Sequence, residues 1–353
     1  MRSLTRADRV LIGFSILALA AAAGCEYGHV GTIGLFATSA FAIAVLAALV
    51  GRSVDRLGDR IGSGSTGFLQ SALGNLPELF IGIFALRAGL VGVLQFALIG
   101  SILANVLLVL GISFLAGGIK NGPQKFSTDA PRLTLMLLVL AVAIIMIPTL
   151  SFHIGVASSH HEVAMSNIAA LVLLLIFVLS IPSTLKPSSE KVPELLEGPL
   201  WPIGLVIVVL GFAGVGALFA SDWFIEALTP AMNSLHISQT FAGLVIIAIV
   251  GSAVENFIGI KLAVRNRPDY SLAVILQSPV QIALGLIPAL VLVSNFVGPH
   301  PLTLVLPTML FAVLALGTIV AIVIVFDGES TWLEGAALIG LYFMVSAAFW
   351  WGQ

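Results

Sequence analysis

Eleven apolar runs, separated by charged and turn residues, dominate the 353-residue chain. Most of them approach the roughly 20 residues that an α-helix needs to cross the hydrocarbon core of a bilayer. They lack the strict alternation of membrane-spanning β-strands, so they favour helices over a barrel. The runs cover residues 10–25, 30–50, 64–86, 90–117, 132–150, 164–182, 199–220, 239–264, 271–294, 302–325 and 332–351. The chain is therefore predicted to be an all-α integral membrane protein with about eleven transmembrane helices.

The composition excludes a soluble protein. Only 9% of the residues are charged and 59% are apolar, whereas soluble domains average about 25% charged residues. The net charge of −2 and the lack of a basic stretch point to no nucleic-acid partner, so the expected surroundings are a lipid bilayer. The first run ends in Ala22-Ala23-Gly24-Cys25, which also resembles a lipoprotein signal, although such signals usually carry leucine where Ala22 stands.

The lysine and arginine positions predict an orientation. With the N-terminus in the cytoplasm, thirteen of the fifteen basic residues fall on the cytoplasmic side, and the exceptions are Arg87 and Lys261. Because positive residues concentrate in cytoplasmic loops, we expect a multi-pass protein of the cell membrane with its C-terminus outside. The charged stretch around Arg52 and Arg56 is expected to be a solvated helix face on the cytoplasmic side.

An internal repeat divides the chain. Residues 74–83 (GNLPELFIGI) return as 251–260 (GSAVENFIGI), shifted by 177 residues with six of ten positions identical. The copies lie on the third and eighth helices, five steps apart, so they should cross the membrane in opposite directions. This predicts an inverted repeat of five plus five helices, with one extra helix at the N-terminus. The predicted segments are the extra helix (1–28), the first half (29–182, with repeat one at 74–117), a cytoplasmic linker (183–198) and the second half (199–353, with repeat two at 248–293).

Two acidic residues, Glu78 and Glu255, lie near the middle of their apolar runs. A charged side chain at mid-bilayer costs at least about 2.5–3.5 kcal/mol, so such residues usually serve transport. The alternative is that each is protonated and hydrogen-bonded to a neighbour. Because desolvation and mutual repulsion disfavour the charged form, an empty site would hold protons that an arriving cation displaces.

Polar residues accompany both glutamates at helical spacing. Asn75 and Ser252 each precede a glutamate by three residues, about one helical turn. The predicted supporting ligands are Asn75, Ser252, Ser101, Asn105, Gln277, Ser278, Gln281 and Asn256. They offer oxygen and no sulfur, which is the ligand set of Ca²⁺, a cation that takes about six to eight oxygens. We therefore predict a Ca²⁺ site at Glu78 and Glu255.

Three residues are expected to interrupt the helices or let them move. Pro77, directly before Glu78, lacks a backbone N–H and so frees a carbonyl for an ion or another partner. Gly74 and Gly251 permit close helix approach, and plain packing is an equally open explanation for these glycines.

Longer stretches resemble a known family. Residues 74–117 and 248–293 are similar to the two signature repeats of CAX-type cation/proton exchangers, a branch of the calcium/cation antiporter superfamily, and residues 327–349 resemble that family's last helix. The resemblance implies a secondary transporter rather than an enzyme, with no cofactor and with Ca²⁺ as substrate. It implies that Glu78 and Glu255 bind Ca²⁺ and exchange protons, and that Asn75, Ser101 and Gln281 fall on polar site positions.

Some residues depart from the family pattern. Leu76 stands in place of alanine, Ser252 in place of asparagine and Asn256 in place of histidine, and the last of these leaves the coupling ion open. An exchanger of Na⁺ for Ca²⁺, or of other cations, is the alternative, since Leu76-Pro77-Glu78 resembles the sister branch of the superfamily. An intramembrane carboxylate enzyme and a cation channel are more remote alternatives. The oligomeric state is not determined by the sequence.

Overall fold

The computed structural model describes residues 4–61, 73–184 and 201–351, without the side chains of residues 55, 57–61, 130, 183–184 and 253–257. Eleven long helices account for most of these residues, because a backbone in lipid must satisfy its own hydrogen bonds. They are α1 (Arg6–Tyr27), α2 (Thr32–Ile61), α3 (Leu76–Arg87), α4 (Val91–Asn121), α5 (Asp129–Ile154), α6 (Glu162–Thr184), α7 (Ile203–Leu235), α8 (239–264), α9 (Pro268–Ser294), α10 (Thr308–Val325) and α11 (Trp332–Trp350). Two short antiparallel strands, β1 (Gln124–Lys125) and β2 (Glu329–Ser330), pair near the ends of α4 and α11.

The helices correspond to the predicted apolar runs, so the prediction of an all-α membrane protein is confirmed. Among the described residues, nine helices are long and apolar enough to span a membrane. The other two, α3 and α8, carry Glu78 and Glu255. Residues 64–72 of the third run and most of the predicted linker lie outside the described residues.

In the part of the chain that the structure describes, three helices contain π-helical segments, in which an extra residue widens the helix, often at functional sites. They are Ala104–Val109 in α4, Ala242–Ile247 in α8 and Ile282–Leu286 in α9. The segment in α4, moved by the 177 residues of the sequence repeat, falls on residues 281–286 and overlaps the segment in α9. The repeat therefore has a local structural counterpart.

The chain forms two compact units, and each takes segments from both predicted halves. The first unit comprises Met1–Phe84, Leu179–His236 and Val250–Val254, and the second comprises Ala85–Val178, Ile237–Ile249 and Glu255–Gln353. In the first unit α2 packs along α7, where the rings of Phe36 and Phe224 stack 4.9 Å apart. The helix α7 continues well past the predicted boundary at residue 220, because Asp222 and Glu226 share one exposed face and do not end the helix.

A buried ionic cluster joins the ends of α1, α2 and the start of α7. Asp8 is 1% exposed and pairs with Arg52 at 2.7 Å, while a guanidinium nitrogen of Arg56 lies 3.7 Å from its other oxygen. The indole N–H of Trp201 also donates to Asp8, at 3.1 Å. The prediction of a solvated face was wrong for Arg56, which is fully buried. The reason is that an acidic side chain from another helix pairs with it.

In the second unit, glycines bring α4 and α8 into contact. A Cβ added to Gly100 would overlap the backbone of Leu244, and one added to Gly243 would lie 2.5 Å from the carbonyl oxygen of Val93. Each helix thus contributes a glycine that contacts the backbone of the other helix. Because glycine has no Cβ, Gly100 and Gly243 allow the two helices to approach this closely.

An extended segment, residues 302–306, precedes α10 and is buried in the second unit. The tenth run was predicted to be helical from residue 302, but the helix begins only at Thr308. The leucines at alternate positions are 2–3% exposed, and their N–H groups donate to side chains of three helices. The bonds run from Leu302 to Ser294, from Leu304 to Ser166 and from Leu306 to Thr149. Pro301 and Pro307 bracket the segment and disfavour a helix there.

Candidate functional site

Glu78 lies in the first turn of α3, next to a break in the helix. Residues 73 and 74 are helical, Asn75 forms a turn, and α3 begins at Leu76. Pro77 accounts for the break, because it has no N–H to donate to the carbonyl one turn back, while its fixed φ suits a first helical turn. The carbonyl of Asn75 accepts the N–H of Leu79 at 2.9 Å. This start places the Glu78 carboxyl near the positive end of the α3 dipole.

Glu78 is buried against the second copy of the repeat. The residue is 8% exposed, as is Asn75. A Cβ added to Gly251 would lie 2.8 Å from Cγ of Glu78 and 3.0 Å from Cδ and Oε1. The Glu78 side chain therefore occupies the space that any residue larger than glycine would need at position 251. Ser252, the next residue, is 2% exposed in the same unit.

Glu255 lies one helical turn after Gly251 in α8. Its backbone is helical, within the segment Ala248–Val264. The side chains of Glu255 and Asn256 lie outside the described residues, so their predicted roles stay predictions.

The predicted ligands on α4 and α9 lie in the second unit. There Asn105, from the first copy of the repeat, forms a hydrogen bond to the second copy. Its amide nitrogen donates to the carbonyl of Ser101 at 2.8 Å and to the hydroxyl of Ser278 at 3.5 Å. Ser101 and Ser278 are the pair that the repeat aligns. Asn105 is fully buried, and its Oδ1 has no hydrogen-bond partner among the described residues. A buried, unsatisfied acceptor is costly unless a hydrogen-bond donor, a water molecule or a cation reaches it.

Two glutamines complete the predicted set. Gln281 is 6% exposed and stands directly before the π-helical segment of α9, and Gln277, one turn earlier, is half-buried. Asn105 is itself in the π-helical segment of α4. Predicted ligands are thus within or next to backbone irregularities in both repeats.

Sequence reasoning missed two buried polar groups, one in each unit. The hydroxyl of Tyr342 in α11 and that of Ser221 in α7 are buried with no hydrogen-bond partner among the described residues. Neither has a counterpart in the repeat, so no sequence signal distinguishes them from ordinary helix residues.

The described site groups offer carboxylate, amide and hydroxyl oxygens, which suit a hard cation. In the first unit the buried groups are those of Asn75, Glu78 and Ser252, and in the second unit they are those of Ser101, Asn105, Ser278 and Gln281.

Comparisons with known proteins cover nearly the whole chain. The model of the sodium/calcium exchanger protein family matches residues 31–186 and 205–351. The Ca²⁺/H⁺ antiporter ChaA of Bacillus subtilis is 31% identical over 323 residues, which cover 89% of this chain and 91% of the relative. The Ca²⁺/H⁺ antiporter of Aphanothece halophytica is 29% identical over 345 residues, 91% of either chain. The solved structure of native YfkE matches with a TM-score of 0.82 and 28% identity, covering 97% of this chain and 98% of the other.

Proposed function

This chain belongs to the sodium/calcium exchanger protein family, and within that family we propose that it is an antiporter that exchanges cytoplasmic Ca²⁺ for protons. The likeness to relatives named Ca²⁺/H⁺ antiporters, over about nine tenths of the chain, supports this choice of ions. The predicted resemblance to cation/proton exchangers is thereby confirmed. The observation that carries the mechanism is the buried carboxyl of Glu78, at the broken start of α3 and against Gly251.

Glu78 and Glu255 are proposed to be the two groups for which Ca²⁺ and protons compete. Two carboxylates would balance the charge of one Ca²⁺, and this lowers the free-energy cost of burying the ion in an apolar helix bundle. When the cation leaves, desolvation favours the protonated carboxyls. The same site then carries either Ca²⁺ or protons. Exchange follows if the transporter does not change the side to which the site opens while the site is empty and deprotonated.

The other oxygen ligands are proposed to come from both repeats. They are Asn75, Ser252, Ser101, Asn105, Gln277, Ser278, Gln281 and Asn256. The spare oxygen of Asn105 supports this assignment, because its amide nitrogen is already used and its acceptor is not. Gly74, Pro77 and Gly251 are proposed to permit the local helix movements that alternate access needs.

The proposed orientation follows the basic residues. The protein would lie in the cell membrane with its N-terminus in the cytoplasm and its C-terminus outside. The halves 29–182 and 199–353 would then form an inverted repeat around the site, with residues 1–28 as an extra helix.

The proposal is tested in inside-out vesicles with a preset proton gradient and no sodium. Addition of Ca²⁺ should collapse the gradient, and Ca²⁺ uptake should follow the proton gradient across several pH values. Uptake driven only by a sodium gradient would overturn the proton assignment, and flux indifferent to both gradients would indicate a channel. An Asn256→His variant, measured in parallel, reports whether this position sets the coupling ion.

The roles of the two glutamates are tested by Glu78→Gln and Glu255→Gln, each of which should abolish exchange in a folded protein. Glu226→Gln is the matched control, because Glu226 is an exposed glutamate in α7. Full exchange by either of the first two variants would overturn the two-glutamate mechanism.

A further inference from the structure

A small pocket opens between the start of α5 and the end of α10. It has a volume of about 100 Å³ and is lined by Thr128, Arg132, Leu135, Val325 and Phe326, which we name the Arg132 pocket. The guanidinium carbon of Arg132 lies 5.9 Å from the centroid of the Phe326 ring. The pocket thus combines one cation and one hydroxyl with three apolar walls.

The pocket lies at the ends of two helices whose length and composition suit a membrane span. Arg132 is in the first turn of the apolar span Pro131–Ile154, and Val325 is the last residue of the span Thr308–Val325. Next to the pocket, exposed apolar side chains continue along both helices. Leu133 and Met136 of α5 are 53% and 58% exposed, and Val323 of α10 is 68% exposed. In a bilayer, lipid chains packed against these helices would pass the mouth of the pocket.

Arg132 is available to an anion. Its side chain is exposed, and among the described residues the ion pairs within 4 Å are those of Asp8, in the other unit. Asp129, three residues earlier, is also exposed. Asp327, beside Phe326, accepts the backbone N–H of Glu329 at 3.1 Å. Neither carboxylate neutralises Arg132 in an ion pair.

Further cations surround this end of the second unit. The loop before α5 is tied to the first turn of α9 by a hydrogen bond from Ser127 N to Asp269 at 2.7 Å, and to the loop before α9 by one from Gln124 to Asn266 at 2.8 Å. The exposed basic residues on or beside these loops are Lys120, Lys125, Lys261, Arg265 and Arg267. Basic pockets between membrane helices at this depth are suited to anionic headgroups.

We propose that the Arg132 pocket binds the headgroup phosphate of an anionic glycerophospholipid from the surrounding leaflet. The planar guanidinium donates two N–H groups to the phosphate oxygens, and the Thr128 hydroxyl donates a third bond. Leu135, Val325 and Phe326 contact the glycerol and the first acyl carbons. The bound lipid joins α5 to α10, so its effect is on stability and not on the ion-binding groups.

The test uses the full chain purified in a neutral detergent. Thermal unfolding and native mass spectrometry are measured with added phosphatidylglycerol, phosphatidylcholine or inorganic phosphate. Phosphatidylglycerol alone should raise the melting temperature and give a bound-lipid mass. An equal rise with phosphatidylcholine would overturn the charge-based recognition, and an equal rise with inorganic phosphate would overturn the lipid as occupant.

Three variants locate the site. Arg132→Gln should weaken phosphatidylglycerol binding about tenfold or more, the usual effect of losing a hydrogen-bonded charge, while Ca²⁺ exchange in phosphatidylcholine vesicles stays unchanged. Arg267→Gln, an equal loss of charge outside the pocket, should keep the lipid-dependent rise. Thr128→Val removes only the hydroxyl and serves as a second variant if Arg132→Gln does not fold. Wild-type lipid binding in both pocket variants would overturn the proposal.

Discussion

Replacing Gly251 with alanine should move the Glu78 carboxyl while leaving the fold largely intact. The new Cβ would lie 2.8 Å from Cγ of Glu78, whereas ordinary contact begins at 3.4 Å. The side chain must therefore retreat by about 0.6 Å, the difference between these two distances. Because the obstructing atoms belong to a side chain and not to a backbone, Glu78 moves rather than α8.

This displacement is large on the scale of Ca²⁺ coordination. Ca²⁺–oxygen distances fall within about 2.3–2.6 Å, so a carboxylate moved by about 0.6 Å leaves the favourable range unless the ion or its other ligands follow. Overpacking of a tight site typically costs about 1–3 kcal/mol, which corresponds to an affinity loss of roughly five- to 150-fold, at about 1.4 kcal/mol for each factor of ten. We expect the apparent affinity for Ca²⁺ to fall by about tenfold.

The assay is Ca²⁺ uptake into proteoliposomes over a range of Ca²⁺ concentrations, with thermal unfolding measured on the same preparation. Gly211→Ala is the matched control, because a Cβ there meets nothing within 4 Å, and it should leave both uptake and stability near the wild-type values. A Gly251→Ala protein with wild-type Ca²⁺ affinity would refute the placement of Glu78 against Gly251 as a determinant of the site.

Three further substitutions test the packing. Asp8→Asn removes the buried carboxylate that pairs with Arg52 at 2.7 Å and lies 3.7 Å from Arg56, and because breaking a buried ion pair costs about 3–5 kcal/mol, the melting temperature should drop by several degrees; an unchanged value would contradict the cluster. Gly100→Ala puts a methyl group into the backbone of Leu244, which has no flexible atom to yield, so the folded yield in size-exclusion chromatography should collapse. Thr149→Val removes the hydroxyl that donates to Leu304 at 2.7 Å and accepts from Leu306 at 3.0 Å; hydrogen exchange at Leu306 should quicken, and unchanged protection would refute that role.

Much of the fold was predictable because two costs act locally: the cost of exposing apolar side chains to water and the cost of leaving backbone polar groups unpaired in lipid. A run of about 20 apolar residues that faces lipid satisfies its own backbone groups by forming a helix, and the helices match the predicted runs over most of their length. The break beside Glu78 is similarly local, since Pro77 lacks its donor in any surroundings. The repeat could be recognised from the sequence because it places the same residue types at the same helical spacing in both copies.

The failures of prediction arose where distant segments meet. Arg56 was predicted to be solvated because it is charged and lies in a charged stretch of the sequence. Its burial depends on Asp8, which belongs to another helix and is distant in the sequence. Residues 302–306 looked helical by hydropathy, but their N–H groups are satisfied by side chains from three other helices. An apolar sequence is compatible with either a helix or an extended strand when its backbone N–H and C=O groups can bond to other parts of the protein.

The sequence by itself therefore determined the membrane-spanning helices, the positions of the two glutamates and the oxygen-rich character of the proposed ligand set. Only the tertiary structure decided that Glu78 rests on Gly251 and that Asn105 uses its nitrogen on Ser101 and Ser278, leaving one oxygen unused. The backbone hydrogen bonds of a helix, and the free energy of transferring its apolar side chains out of water, depend on residues within one or two helical turns. Contacts between helices depend on the shapes of surfaces far apart in the chain, which no local pattern records.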